Sequence, residues 1–362
     1  MTILFGIPPI HHIKISMDEV SGLRQLGNTC YTAQYGLNNS KASKLSRFIG
    51  VLRNTFSILR ILYNTKPHLL YLNSRVEPVA GVRDFITIFV VKLFYRKRLK
   101  IAIKSHGSEY SHLKSNSFLY KKVINPYLNK NVDAWLMLSK EEQELMRHFI
   151  SIPNRVFVTT NIVSDFEISD SGVAHDFLNK LPKDKFIVLF CGRIIKEKGC
   201  FDIVDSIPFI KDIDEMVFIF LGDGPELPTI KNIVEERCIQ KHFLFTGWVD
   251  EAVSNSFFSR VNILLYPSYS EGFSMVLFRA VASGIPVITT RIRAAADYLK
   301  EPDNVLWVKD GQPHEIGMAV TKLFEDHELR SRMSENNKQL GRMFNKRNTC
   351  KNLSQIFESI CA

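Results

Sequence analysis

Short apolar runs, each bounded by turn-forming residues and separated by helix-length segments, recur along the whole chain. Ile3–Ile7, Leu69–Asn73, Leu99–Ile103, Ala134–Ser139 and Val156–Thr160 occupy the first half. Phe186–Cys191, Met216–Leu221, Phe243–Thr246, Val261–Tyr266, Pro286–Thr289 and Val305–Val308 occupy the second. A strand buried on both faces reads as an unbroken apolar run, and parallel strands need a helical crossover between them. The alternation therefore predicts α/β architecture, and two successive sets predict two doubly wound domains. At 362 residues the chain exceeds one ordinary core, which agrees with two domains. Apolar periodicity fades between Ser164 and Asp184, where Ser, Asp, Gly and Lys gather. The expected division is an N-terminal domain over 1–165, a linker over 166–184 and a C-terminal domain over 185–345. A last helix over 346–362 is expected to pack back towards the N-terminal domain.

The chain is 45% hydrophobic and 23% charged, ordinary for a globular protein, which excludes disorder, collagen and coiled coil as its main architecture. No run approaches the ~20 apolar residues of a spanning helix. The N-terminus carries neither a basic region nor a cleavage site, so no signal peptide is expected. The six cysteines (Cys30, Cys191, Cys200, Cys238, Cys350, Cys361) lie far apart without a C-x-x-C pair. They are expected as reduced, buried thiols, which points to a cytoplasmic protein.

Charge is uneven. Residues 1–170 carry 23 Lys and Arg against 12 Asp and Glu, and residues 171–362 carry 24 against 25. The whole net charge of +10 thus sits in the first half, which suggests an anionic partner there. One basic cluster lies in 41–66, where Leu45, Phe48, Ile49, Leu52, Phe56 and Leu59 recur at helical spacing among Lys41, Lys44, Arg47, Arg53 and Arg60. This reads as an amphipathic helix that packs its apolar stripe on the core and leaves a cationic face in water. A second cluster, Lys92 to Lys104, follows the apolar stretch Phe85–Phe94, whose aromatics read as core. No nucleic-acid-binding motif accompanies either cluster, so no nucleic-acid partner is expected.

Three motifs fall just after strands, where ligands of doubly wound folds bind. Gly192-Arg193, followed by Lys198-Gly199, places two cations beside a helix start, a suitable cradle for a diphosphate. Gly222-Asp223-Gly224-Pro225 is a tight turn whose glycines permit close backbone approach to a ligand. Tyr266-Pro267-Ser268-Tyr269-Ser270-Glu271-Gly272-Phe273-Ser274 leads through a helix to Gly284-Ile285-Pro286-Val287. Glu271 there offers a carboxylate to sugar hydroxyls. No His and Cys cluster has zinc spacing. The one D-x-D, Asp212-Ile213-Asp214, precedes a strand and is expected as a surface turn.

In order and spacing these three motifs resemble the C-terminal domain of the retaining GT-B glycosyltransferases of family 4, over about residues 186–310. The first half resembles that family's acceptor domain through the proline loop Gly6-Ile7-Pro8-Pro9-Ile10, through Ser105-His106-Gly107 and through Asn161-Ile162-Val163. Arg83-Asp84 is similar to a stretch lining the family's cleft. The resemblance implies the GT-B fold, two Rossmann-like domains facing each other across a cleft. It implies transfer of a sugar, with retention, from a UDP- or GDP-linked nucleotide sugar. No cofactor and no metal ion are implied. His106, Arg193, Lys198 and Glu271 become the catalytic candidates. Gly222, Gly224, Gly272, Phe273, Ser274 and Arg279 become donor-binding candidates, with Pro9 and His12 on the N-terminal loop.

Three ligand-facing positions depart from the family pattern. Arg279 stands where a second acidic residue is usual, and that residue is implied to hold the nucleotide's ribose. His12 and Ile162 each replace a glycine. Arg279 cannot accept a hydrogen bond, so it either contacts phosphate or weakens nucleotide binding. A non-catalytic subunit of the same fold and a sugar-nucleotide epimerase therefore stay open beside a transferase acting in surface polysaccharide or glycoconjugate synthesis. The expected acceptor is a saccharide or lipid-linked saccharide. An anionic membrane surface is a further expected partner, so the place in the cell is cytoplasmic or peripheral at the inner membrane face.

Overall fold

The computed structural model describes residues 1–8, 13–36, 43–95, 98–106, 113–150, 155–163, 181–182 and 184–362. They divide into two compact units, one of Met1–Ile162 with Lys346–Ala362 and one of Val163–Asn345.

The first unit runs β1 (Thr2–Ile7), α1 (Ile13–Gln25), β2 (Thr29–Gln34), α2 (Lys44–Thr65), β3 (Leu69–Ser74), α3 (Pro78–Phe94), β4 (Lys100–Ser105), α4 (Asn125–Asn131), β5 (Ala134–Met137), α5 (Lys140–Phe149) and β6 (Val156–Val158). Its strands form one parallel sheet ordered β2-β1-β3-β4-β5-β6. Side chains alternate across it with the two-residue period of a strand. Leu4, Leu70, Leu72, Ile101 and Ile103 pack on one face with Ile58, Leu62 and Ile88 of α2 and α3. Ile3, Phe5, Leu69, Tyr71 and Ala102 pack on the other. Val20 and Leu23 of α1 cover this second face together with Leu353, Ile356 and Phe357 of the last helix, Lys346–Cys361.

The edge strand β2 has no counterpart among the expected strands. Its sequence TCYTAQ buries only Cys30 and Ala33, because an edge strand is half solvated and need not be apolar. The stretch 85–94 also departs from expectation. Phe89 and Phe94 stand in solvent while Ile88 and Val91 fill the core. On α2 the apolar stripe is likewise turned outward: Leu45, Phe48, Ile49 and Phe56 are exposed, and Gly50, Asn54, Thr55, Ile58, Leu59 and Leu62 make the buried face. Asn54 and Thr55 can be buried because Asn54 donates to Gly36 O and Thr55 meets the Thr87 hydroxyl, satisfying polar groups that periodicity alone assigned to water.

The second unit runs β7 (Phe186–Cys191), α6 (Cys200–Ser206), β8 (Met216–Leu221), α7 (Leu227–Glu236), β9 (Phe243–Gly247), α8 (Glu251–Phe257), β10 (Ile263–Tyr266), α9 (Met275–Ala282), β11 (Val287–Thr290), α10 (Arg293–Tyr298), β12 (Val305–Val308), α11 (Pro313–Glu325) and α12 (His327–Gly341). The last helix of the chain, already described, is α13. This sheet is also parallel, in the order β12-β11-β10-β7-β8-β9. The strand order reverses beside β7, with β8 and β9 to one side and β10 to the other. Crossovers from β7 and β10 thus leave in opposite directions and open a crevice at the carboxyl ends of these two strands.

Among the described residues no helix is long and apolar enough to cross a membrane. All six cysteines are free thiols, but only four are buried: Cys361 is partly buried, and Cys238 is exposed in the left-handed turn after α7, with φ 55°.

Candidate functional site

The crevice of the second sheet is built by one glycine and one strand end. Gly199 has φ 70°, and a Cβ there would lie 2.2 Å from Pro267 O. Only glycine lets the turn 196–199 press on the loop after β10. Tyr269 N (2.9 Å) and Ser268 Oγ (3.3 Å) donate to Glu197 O and hold the two loops together. Lys198 Nζ consequently reaches Glu271 Oε1, and the Tyr266 hydroxyl donates to the same oxygen. Both charged side chains are 18% exposed, so a substrate can still approach them. Burial, reinforced by the neighbouring carboxylate, pushes the Tyr266 phenol well above its usual range, and it stays a protonated donor. Arg193 sits exposed on the turn after β7.

Gly222 and Gly224 take part in a different way from the one expected. A Cβ on Gly222 would stand 2.0 Å from Gly192 O, and one on Gly224 would stand 2.2 Å from Ile194 O. The space these glycines leave is therefore filled by backbone of the neighbouring turn. Ile194 N donates to Asp223 O (2.9 Å) and Glu226 N to Ile194 O (3.2 Å), which locks the two turns. The turn that carries Arg193 is thereby fixed.

Gly272 lies partly buried on the loop carrying Glu271. Phe273 is buried and stacks on Phe278 at 4.2 Å, beside Phe344, so its ring belongs to the core. Ser274 caps α9 by accepting from Leu277 N (3.3 Å). The pair thus anchors the end of the Glu271 loop. Arg279, on α9, is turned to α8, where its guanidinium donates to Glu251 at 2.8 Å. Asp250 caps α8 through Val253 N (2.8 Å), which fixes the turn that presents Glu251.

In the first unit, His106 follows β4 at the carboxyl edge of the sheet and is buried. Its Nε2 is 2.9 Å from Asn73 Oδ1, and Asn73 Nδ2 donates to Ser16 Oγ (3.0 Å). The next residue, Ser74, donates to Asp84 Oδ2 (2.6 Å) and accepts from Arg83 (2.7 Å). Arg83 also lies 4.2 Å over the Tyr35 ring. Ile162 is packed in the core under α13, so this apolar side chain serves the fold where the family pattern has glycine. Pro9 and His12 lie outside the described residues, as does most of the expected linker. Asp214 of the D-x-D pairs with Lys241 (2.6 Å) on the surface. Among the described residues no three His, Cys, Asp or Glu side chains gather as metal ligands would.

Reasoning from the sequence had missed Tyr266, Asn73 and Glu251 as site residues. Tyr266 carried a signal, being the one polar end of the aliphatic strand β10. Glu251 carried none, since it meets Arg279 across 28 residues.

Two parallel doubly wound units, with a Lys–Glu–Tyr cluster at the switch point of the second, have the architecture of the GT-B fold. Residues 174–340 match the family model of the glycosyl transferases group 1. This match covers a little under half of the chain. An uncharacterized glycosyltransferase of Methanocaldococcus jannaschii is 26% identical over 279 residues, 74% of this chain and 70% of that protein. The capsular polysaccharide biosynthesis glycosyltransferase CapM of Staphylococcus aureus is 26% identical over 185 residues, 46% of this chain and 44% of that protein. The crystal structure of HepE from Anabaena in complex with UDP superposes with a TM-score of 0.75, covering 99% of this chain and 100% of that one. Its identity is 14%, so this likeness concerns the fold.

Proposed function

We propose that this glycosyltransferase moves a sugar from a UDP- or GDP-linked donor, with retention, to a saccharide or lipid-linked saccharide acceptor in surface polysaccharide or glycoconjugate synthesis. The observation that carries the reading is the Lys198–Glu271–Tyr266 cluster beside exposed Arg193 at the switch point of the second sheet. Breaking a glycosidic bond to a nucleoside diphosphate leaves growing negative charge on the diphosphate. Arg193 supplies a bidentate fork and Lys198 a mobile ammonium for that charge. These fixed cations suit a reaction that needs no metal ion. Glu271, oriented by the Tyr266 hydroxyl, accepts hydrogen bonds from the donor sugar. Glu251, held by Arg279, supplies a carboxylate for the ribose hydroxyls that position 279 itself does not. Gly272, Phe273 and Ser274 shape the donor loop, and Gly222 and Gly224 keep Arg193 in register.

His106, held through Asn73, is assigned to the acceptor, and Pro9 and His12 to the loop facing the donor phosphates. HepE was solved with UDP and CapM is named for capsular polysaccharide, which supports this donor and acceptor class. Work at the inner membrane face, with an anionic lipid surface as partner, completes the proposal.

Calorimetric titration with UDP, GDP and their sugar conjugates tests it. Binding of one nucleotide that Lys198→Ala abolishes is the expected result. No binding to any of them would overturn the reading.

A further inference from the structure

We infer that α2, α3 and the segment leading into α4 form one face by which the first unit sinks apolar side chains into an anionic bilayer. This rests on the inner-membrane reading and deepens it. That reading needs only charge attraction, whereas here a particular surface inserts.

Three neighbouring elements turn large apolar residues to solvent. On α2 these include Leu45, Ile49 and Phe56, and on α3 Val79, Phe89 and Leu93. Phe118 and Leu119 do the same just before α4. Leu45 is 68% exposed, Val79 73% and Phe118 75%. The elements are contiguous. Thr55 of α2 meets Thr87 of α3 (3.1 Å), and the Tyr120 hydroxyl donates to Pro78 O at the start of α3 (2.9 Å). Phe85 of α3 and Tyr127 of α4 have ring centres 5.0 Å apart. Between α2 and α3 a groove of about 600 Å³ has Phe48 and Val79 on its walls. The opposite sides of these helices, through Ile58, Ile88 and Leu128, already fill the core. Single exposed apolar residues are ordinary, but a contiguous patch marks an interaction surface.

Charge says what covers it. Lys44, Arg53 and Arg60 stand exposed on α2, and Lys121 and Lys122 before α4. Neither α2 nor the stretch 114–132 contains an acid. The one acid of α3, Asp84, is buried and bonded by Tyr35, Ser74 and Arg83. Glu77, just before α3, lies 3.6 Å from Arg75. Acids return on α5, where Glu141 and Glu144 are exposed and Glu144 pairs with Arg147 (2.7 Å). A second copy of the chain docked two-fold here would set this acid-free face against itself, cation against cation. Protein interface cores are also poor in lysine. An anionic bilayer meets both features, with phosphates for the cations and the headgroup–acyl boundary for the aromatic and aliphatic side chains. Both helices begin at the carboxyl edge of the sheet, where His106 follows β4. A lipid-linked acceptor in that leaflet would present its saccharide along the edge that carries this histidine.

Sedimentation of the full chain with vesicles tests the face. Mixed phosphatidylglycerol and phosphatidylcholine vesicles should bind at least about tenfold more tightly than phosphatidylcholine alone. Leu45→Glu and Phe118→Glu should each weaken binding to the mixed vesicles about tenfold, as should Lys121→Gln with Lys122→Gln. UDP affinity, measured calorimetrically without vesicles, should be unchanged in all of them. Binding that responds to the lysine variant but not to Leu45→Glu or Phe118→Glu would overturn insertion, since charge attraction would then suffice. Equal binding to both vesicle compositions would overturn the anionic bilayer. So would a dimer in sedimentation velocity that Leu45→Glu dissociates, because the occupant would be a second copy. Vesicle binding indifferent to every variant would defeat this face and leave the inner-membrane reading standing. No binding to either vesicle, with UDP still bound, would defeat the inner-membrane reading and this face with it.

Discussion

Arg279 and Glu251 form an ion pair of 2.8 Å that ties α9 to α8. Arg279 is thereby turned from an apparent obstacle to nucleotide binding into the holder of a carboxylate on another helix. Arg279→Glu should therefore not improve UDP affinity. Two carboxylates would face each other, and binding should weaken about three- to tenfold, the scale of a partly exposed pair. The exchange Arg279→Glu with Glu251→Arg should recover most of the loss. Tighter UDP binding by Arg279→Glu alone, in a calorimetric titration, would refute this role for Glu251.

Lys198→Met should lower turnover by ~10²–10³, the scale of removing one preorganised charge partner. It also strands the Glu271 carboxylate in a half-buried site, so Tm should fall by about 2–4 °C. Adding Glu271→Gln should restore Tm but not turnover. Recovery of activity in the double variant would show that the pair is structural.

Gly222→Ala drives a Cβ to 2.0 Å from Gly192 O and should cost about 3 kcal/mol of unfolding free energy. Gly192→Ala, at a similarly positive φ of 153°, meets Tyr266 only at an ordinary 3.6 Å and should cost less, about 1–2 kcal/mol. Urea unfolding of both variants makes the comparison. Equal losses would mean that backbone conformation alone, and not the locking of the two turns, sets the cost.

Lys104 and Glu19 are fully buried and 2.5 Å apart, and Lys104 also donates to Thr160 O (3.1 Å). Lys104→Met should destabilise by about 3–5 kcal/mol, because it leaves a buried carboxylate without its cation. Lys104→Met with Glu19→Leu should lose far less. A double variant as unstable as the single would show that the cost lies in packing, as chemical denaturation would reveal.

Burial pushes the Cys191 thiol up to about 11 and the Cys200 and Cys350 thiols up to about 12, against an ordinary 9.0. Their protons are held by the folded chain and released earlier by the unfolded one. The stability they contribute is complete below pH 9 and is lost as pH climbs from 9 towards 12. Tm should fall across that window. At pH 8 a thiol reagent should modify exposed Cys238 at once and these three only on unfolding. Rapid labelling of Cys191 in the folded protein would contradict its burial.

The strands were legible wherever both faces of the sheet are covered, because burial on two sides demands an unbroken apolar run. Phe186–Cys191 and Met216–Leu221 appear in the structure with the limits their sequences suggest. The edge strand Thr29–Gln34 was not legible, since half its surface faces water. Lys198 and Glu271 could be named because each follows a strand within a short motif. That they share one oxygen with Tyr266 depends on Gly199 admitting a loop 68 residues away in the chain, from Pro267.

Sequence alone thus determined the α/β class and the residue types at the carboxyl edges, because strand periodicity and turn chemistry are local. Only the tertiary structure decided which charges meet. The pairing of Arg279 with Glu251 and the outward turn of Phe48 depend on how distant helices pack. On α2, burying Asn54 and Thr55 became favourable once Gly36 and Thr87 could bond them. That left most of the apolar stripe in solvent and Phe48 on the wall of a cavity, a result no reading of helical periodicity contains.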